Sequence, residues 1–171
     1  LARLGPVNFI RAIWPKKQCG PCPGNRKDSY QFYGPWNTEA AQQCDNLNRL
    51  GYSIYYGAND PGCDRFLEAN VKKLRVIYRD CDTSEDPVSW HLSGGEFVPP
   101  HIHYVTSPGK SQSLWLIEPI PSDHIGIIHN KMVEWHGHDP STSGAARLLR
   151  LPGFLNTKYE PAHPVTVVLS R

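Results

Sequence analysis

The segment Leu74-Arg-Val-Ile-Tyr-Arg-Asp80-Cys-Asp82 constrains the chain more than any other. Leu74, Val76 and Tyr78 alternate with Arg75, Ile77 and Arg79, the period-2 pattern of a strand. Side chains at i and i+2 share a face, so an ordered strand delivers Asp80 and Asp82 together at its end. Two adjacent carboxylates repel unless a cation sits between them, and hard divalent ions take oxygen ligands. Taken alone, Asp-Cys-Asp-Thr-Ser-Glu-Asp-Pro reads more readily as an ordinary acidic turn. A third acid shifts the balance: Asp139 follows a predicted helix end and shortly precedes Arg147. Three carboxylates beside a phosphate-binding cluster suit two-metal phosphoryl or nucleotidyl transfer.

That cluster is Arg147-Leu-Leu-Arg150-Leu-Pro152-Gly153-Phe-Leu-Asn156-Thr-Lys158. The two arginines either share one helical face or bracket a tight turn, and their planar forks suit phosphate oxygens. The Pro-Gly pair sets a turn that returns Asn156 and Lys158 toward them. Most charge clusters are solvated loops. Here Leu148, Leu149, Leu151 and Phe154 are interleaved with the cations and would anchor the segment to a core. A further tip, Ser107-Pro-Gly-Lys110, lies between two apolar runs and can aim backbone N–H groups, Ser107 and Lys110 at a phosphate. It lacks the second glycine and following helix of a Walker loop.

Strand signals also mark Asn8–Trp14, Tyr52–Tyr56, His101–Tyr104, Ser113–Ile117 and Val165–Leu169. A Pro/Gly/Cys-rich loop is expected through Trp36. Helices are expected from an Asn37 or Thr38 cap to Leu50, and from Ser122 or Asp123 to Gly137, with Ile125, Ile128, Met132 and Trp135 at helical spacing. Strands outnumber helices, which predicts an α+β fold with a largely antiparallel sheet. At 171 residues the chain reads as a single domain, residues 1–171, and can be a piece of a longer protein. The net charge of +2 is too small to establish a nucleic-acid partner by itself. Five cysteines without framework spacing favour a reducing, cytoplasmic setting, and no run is long enough for a membrane span. Cys19-Gly-Pro-Cys22 can be half a metal site, but no second pair matches it.

In order along the chain, Asp-x-Asp at a strand end, Ser-Pro-Gly-Lys-x-Gln-x-x-Trp, Gly-x-Asp-Pro and Arg-x-x-Arg-Leu-Pro-Gly-Phe-x-Asn-x-Lys resemble the archaeo-eukaryotic primase superfamily. The nearest branch is that of primase-polymerases and plasmid or phage replication primases. Gly51-Tyr-Ser-Ile-Tyr-Tyr-Gly-Ala-Asn59 is similar to the strand and asparagine preceding the first acidic motif there. The resemblance spans Gly51 to Lys158. It implies a mostly antiparallel palm like that of RNA-recognition motifs, flanked by helices and joined to a smaller N-terminal α/β part. It implies a DNA primase or DNA-directed polymerase in which Asp80, Asp82 and Asp139 hold Mg²⁺ or Mn²⁺. Ser107, Lys110 and Gln112 would contact the incoming nucleoside triphosphate. Arg147, Arg150, Asn156 and Lys158 would bind phosphates or template. The implied partners are single-stranded DNA template, primer, nucleotides and a helicase or other replication domain. Many members carry histidine where this chain has Gln112, which can donate a hydrogen bond but cannot carry charge.

Two other readings compete. His101-Ile-His103 is the metal-binding pattern of HUH single-strand endonucleases, and His136-Gly-His138 could add ligands. It leaves the aspartates and the basic cluster without a role. A non-catalytic nucleic-acid-binding module explains the cations and aromatics such as Tyr55, Tyr56 and Trp115, but not the acids.

Overall fold

The computed structural model describes residues 8–16, 20–24, 26–82, 98–136 and 143–170. Strands β1 (Phe9–Ile13), β2 (Ser29–Tyr33), β3 (Ser53–Gly57) and β7 (Leu148–Arg150) form one sheet in the order β2-β1-β3-β7. Strands β4 (Lys73–Cys81), β5 (Ile102–Ser107), β6 (Lys110–Pro121) and β10 (Thr166–Ser170) form a second, ordered β10-β5-β6-β4. The short pair β8 (Leu155–Asn156) and β9 (His163–Pro164) stands apart. Every strand pair is antiparallel, and with helices α1 (Thr38–Arg49) and α2 (Ile125–His136) the architecture is α+β as expected.

Helix α1 begins where Asn37 Oδ1 accepts the Ala40 N–H at 2.8 Å, an N-cap that satisfies one otherwise unpaired donor. Gly51 follows its end at φ +99°, and a Cβ there would sit 2.7 Å from the Trp14 ring, so any other residue is strained and displaces that ring.

Alternation decides what is buried. Ile10, Ala12, Ile54, Tyr56 and Leu149 of the first sheet join Val76, Tyr78, Ile102, Tyr104 and Leu114 of the second in one core, with Cys44 from α1. Burying each such aliphatic side chain contributes about 1.5–3 kcal/mol. A second cluster, Val71, Leu74 and Ala145, takes Ile120, Ile125 and Ile128 against it and seats α2. Asn59 fastens the layers together. Its Oδ1 accepts the N–H groups of Arg75 (2.8 Å) and Val76 (3.0 Å). Its Nδ2 donates to the carbonyls of Val76 (3.2 Å) and Ala145 (3.4 Å).

Two local expectations are corrected. The loop before Trp36 contains strand β2, in which Tyr30 and Phe32 face the core cluster while Gln31 and Tyr33 are exposed. Surrounding Pro and Gly residues mask so short an alternation. Arg147 and Arg150 neither share a helix face nor bracket a turn: Leu148–Arg150 is a three-residue edge strand paired with Tyr55–Gly57. Pairing with β3 supplies what three residues cannot specify locally. Asp139, His138 and Cys19 lie outside the described residues.

Candidate active site

Register brings the described members of the predicted set together. Asp80 of β4 pairs with Gln112 of β6, which pairs with Tyr104 of β5. Asp82 follows the strand end and shares the side of Asp80. The β5–β6 turn, with Gly109 at φ +69°, places Ser107 and Lys110 beside them. The first sheet delivers Arg147 and Arg150 through β7, and the Pro-Gly turn returns Asn156 and Lys158. Together they line a cleft of about 210 Å³ at the junction of the two sheets.

Four cations face two carboxylates in this cleft. Arg147 Nη2 lies 3.2 Å from Asp80 Oδ2, and Lys110 Nζ lies 3.0 Å from Asp82 Oδ1. Gln112 explains its own presence. Its Nε2 donates to Asp80 Oδ1 at 3.2 Å, and its Oε1 accepts the Arg150 backbone N–H at 3.0 Å, bridging the sheets. Burial pushes the Asp80 carboxyl above the usual carboxylate range, opposed by the Gln112 hydrogen bond and the Arg147 charge. The hydrogen bond to Asp82 pushes Lys110 upward, so it keeps its charge. Beneath them Tyr104 is fully buried, and that burial raises its phenol well above the ordinary value.

The remaining predicted residues divide. The Ser107 hydroxyl is buried, borders the cleft and has no hydrogen-bond partner among the described residues. Asn156 has a structural role: Nδ2 donates to the Thr106 carbonyl at 2.9 Å and Oδ1 accepts the Lys158 N–H at 3.2 Å. It fixes the segment that carries Lys158. Asp80 and Asp82 are hard oxygen donors on one side of one strand end, which fits a divalent ion that retains several waters. Among the described residues no group of three or more His, Cys, Asp or Glu gathers as a ligand set.

The rival pattern is differently employed. His103 is buried with Nδ1 2.8 Å from Ser113 Oγ, and His101 Nδ1 accepts the Leu116 N–H at 3.1 Å. Cys22 Sγ lies 3.0 Å from the Tyr52 hydroxyl. Tyr56 and Trp115 belong to the interior, whereas Tyr55 is half-buried with the Arg150 guanidinium 4.8 Å from its ring centre.

Sequence reasoning missed Glu68. Its carboxylate accepts the N–H groups of Ala145 (2.5 Å) and Ala146 (2.9 Å), while Tyr78 donates to the Gly144 carbonyl at 2.9 Å. These bonds, with Asn59, fix the turn that leads into Arg147. No local signal marks a side chain whose partners are distant backbone amides.

Comparison with known proteins identifies the family and the fold. A replication protein from Clostridium perfringens is 29% identical over 143 residues, covering 74% of this chain and 34% of that protein. The chain thus spans about a third of the length of that curated relative. Among solved structures, the archaeo-eukaryotic primase domain of the cyanophage S-2L primase-polymerase superposes with a TM-score of 0.73 at 15% identity, covering 96% of this chain and 82% of that one. The catalytic domain of primase RepB′, solved in complex with initiator DNA, gives a TM-score of 0.66 at 16% identity, covering 99% and 80%. The fold is that of these primase catalytic domains. Residues 69–167 match the RepB DNA-primase N-terminal domain family, and the chain belongs to it.

Proposed function

We propose that this domain performs template-dependent nucleotidyl transfer as the catalytic core, residues 1–171, of a primase or primase-polymerase serving a plasmid, phage or other mobile element. The observation that carries the proposal is the meeting of Asp80 and Asp82 with Lys110, Arg147, Arg150 and Lys158 in one cleft. Asp80, Asp82 and Asp139 would hold Mg²⁺ or Mn²⁺. Bound there, such ions lower the pKa of a primer 3′-hydroxyl and neutralise the triphosphate.

The chain's own groups do the rest. Lys110, Arg147, Arg150 and Lys158 hold the triphosphate oxygens and neutralise charge as pyrophosphate departs. Ser107 donates from the β5–β6 turn. Gln112 keeps Asp80 oriented and ties it to the strand that carries Arg150, so the carboxylate and the phosphate-binding arm move as one. Asn156 acts by position rather than contact. Single-stranded DNA template, primer and nucleoside triphosphates are the partners, with a helicase or other replication domain acting alongside in the cytoplasm. Among the described residues no helix is long and apolar enough to cross a membrane.

Metal-dependent primer extension tests the proposal. Asp80→Ala and Asp82→Ala each abolish incorporation while the far-ultraviolet circular dichroism of the parent is retained. Arg150→Ala raises the KM for nucleotide or template more than it lowers the unfolding midpoint. Full synthesis by all three variants refutes the site. A covalent 5′-phosphotyrosyl product from single-stranded DNA would instead establish the endonuclease reading.

A further inference from the structure

The two faces of the β2-β1-β3-β7 sheet differ. One carries Ile10, Ala12, Ile54, Tyr56 and Leu149 into the core. On the other, register sets Gln31 opposite Arg11, Arg11 opposite Tyr55, and Tyr55 opposite Arg150. These four form one row across all four strands, about 14 Å long at the usual strand spacing. Its Tyr55 and Arg150 end lies in the cleft; its Arg11 and Gln31 end lies outside it.

Arg11 is the informative member. Among the described residues no carboxylate pairs with it. Its Nη2 reaches only the Ser29 hydroxyl at 3.5 Å, and its buried Nε has no hydrogen-bond partner. A half-buried guanidinium without a carboxylate is suited to an anion from outside. Arg150 packs on the Tyr55 ring, ordering a half-buried aromatic between two cations.

The two ends of this face also differ. Toward Phe9 and Tyr33 it is closed by Phe66, which stacks on Phe9 at 4.6 Å, and bordered by Asp60, which accepts from Asn8 Nδ2, and Asp64, whose carbonyl accepts from Gln31. Toward Ile13 and Ser29 the strands lead into the segment that carries exposed Lys16, Arg26 and Lys27, where among the described residues Lys16 pairs with Asp28 and no carboxylate pairs with Arg26 or Lys27. A polyanion leaving the cleft along this row is attracted at one end and repelled at the other.

We propose that this outer face is a track for single-stranded nucleic acid. The template strand leaves the cleft across Tyr55, which stacks a base, and over Arg11, which binds a phosphate, toward the Ser29 end of the sheet. The inference rests on the template-dependent reading above and adds the direction of the strand and two residues that hold it.

Equilibrium binding of a labelled oligothymidylate of about 20 nucleotides, measured by fluorescence anisotropy without nucleotide or divalent ion, tests the track separately from synthesis. Arg11→Ala should weaken binding about 3–10-fold and reduce the slope of log affinity against log salt by about 1, with Arg11→Lys restoring the slope. Tyr55→Ala should weaken binding by a similar factor without changing the slope, and Tyr55→Trp should restore it. In primer extension, Arg11→Ala should match the parent on templates ending at the copied position. It should fall behind on templates extending several nucleotides past it. If the parent binds the oligonucleotide and extends primers while Arg11→Ala keeps parental affinity, slope and length response, the track is wrong and the active site stands. If the parent neither binds nor extends at any template length, both readings fall.

Discussion

Replacing the amide of Gln112 with a carboxylate isolates the electrostatics of the site from its shape. Gln112→Glu keeps an oxygen that can accept the Arg150 N–H, now held at 3.0 Å. It replaces the donor to Asp80 by a like charge at a contact of 3.2 Å. At that separation and an effective dielectric of ~20, two unit charges repel by about 5 kcal/mol. Protonation is the cheaper escape. A glutamic acid ordinarily ionises near pH ~4.3, so keeping it neutral at pH ~7 costs about 4 kcal/mol. Arg147, 3.2 Å from Asp80, offsets part of this. The expected loss of unfolding free energy is therefore about 2–4 kcal/mol near pH ~7. The sign follows from linkage. The folded variant retains a proton that the unfolded chain releases, so stability falls as pH rises above the ordinary carboxylate range and recovers below it. Denaturant midpoints of parent and variant at matched salt, from about pH 4.5 to about pH 8, measure it. Gln112→Leu controls for lost hydrogen bonds without added charge. If Gln112→Glu loses the same stability at both ends of that range, or none, then Asp80 and Gln112 are not electrostatically coupled across their 3.2 Å contact.

Three further outcomes are expected. Asp80→Asn should raise the unfolding midpoint near neutral pH while ending synthesis: burial holds the native carboxyl above its unfolded value, so ionising it opposes folding as pH climbs through that interval, and the gain should vanish in acid. Asn59→Ala should lose about 3–5 kcal/mol of stability, because buried backbone groups of Val76 and Ala145 lose their partners, and chemical denaturation reads it directly. Glu68→Ala should cost only about 1–2 kcal/mol, since Glu68 is exposed, yet raise the nucleotide KM about 3–10-fold through a loosened Arg147; Glu68→Gln should recover most of it.

What the sequence disclosed follows from where each determinant lies. Asp80 and Asp82 were legible because strand periodicity alone puts them on one side, and Ser107 and Lys110 because a Pro-Gly tip between apolar runs is a hairpin in most contexts. That Arg147 and Arg150 gather with the carboxylates was legible from the sequence, but their conformation was not. A three-residue edge strand is made by its neighbour β3, which no local propensity encodes. Strand β2 hid for a related reason: its alternation is brief and sits among turn residues. Asn156 looked like a phosphate ligand because its amide lies among cations; only the second sheet reveals that Thr106 already uses it. Gln112 looked like a weakened histidine. Both ends of its amide are engaged, the donor with Asp80 and the acceptor with the Arg150 N–H, so here it has a bridging role that needs no charge.

The stability of this site and its proposed work pull in opposite directions, which separates residues that act from residues that support. Asp80 is largely withdrawn from water against the preference of its charge and held there by Gln112 and Arg147. A group retained under such opposition stabilises nothing by itself, so its removal should relieve the fold while destroying the activity. Asn59 is the converse. Its four hydrogen bonds join a loop, β4 and the turn before Arg147, so its removal should harm fold and activity together. Glu68 lies between, exposed enough to be cheap for stability and close enough to Arg147 to matter for nucleotide. Plotting unfolding free energy against synthesis for these three substitutions should place them in three different quadrants or margins. A common line through all three would mean that activity merely tracks folding, and that the carboxylate and its cations have no role beyond packing.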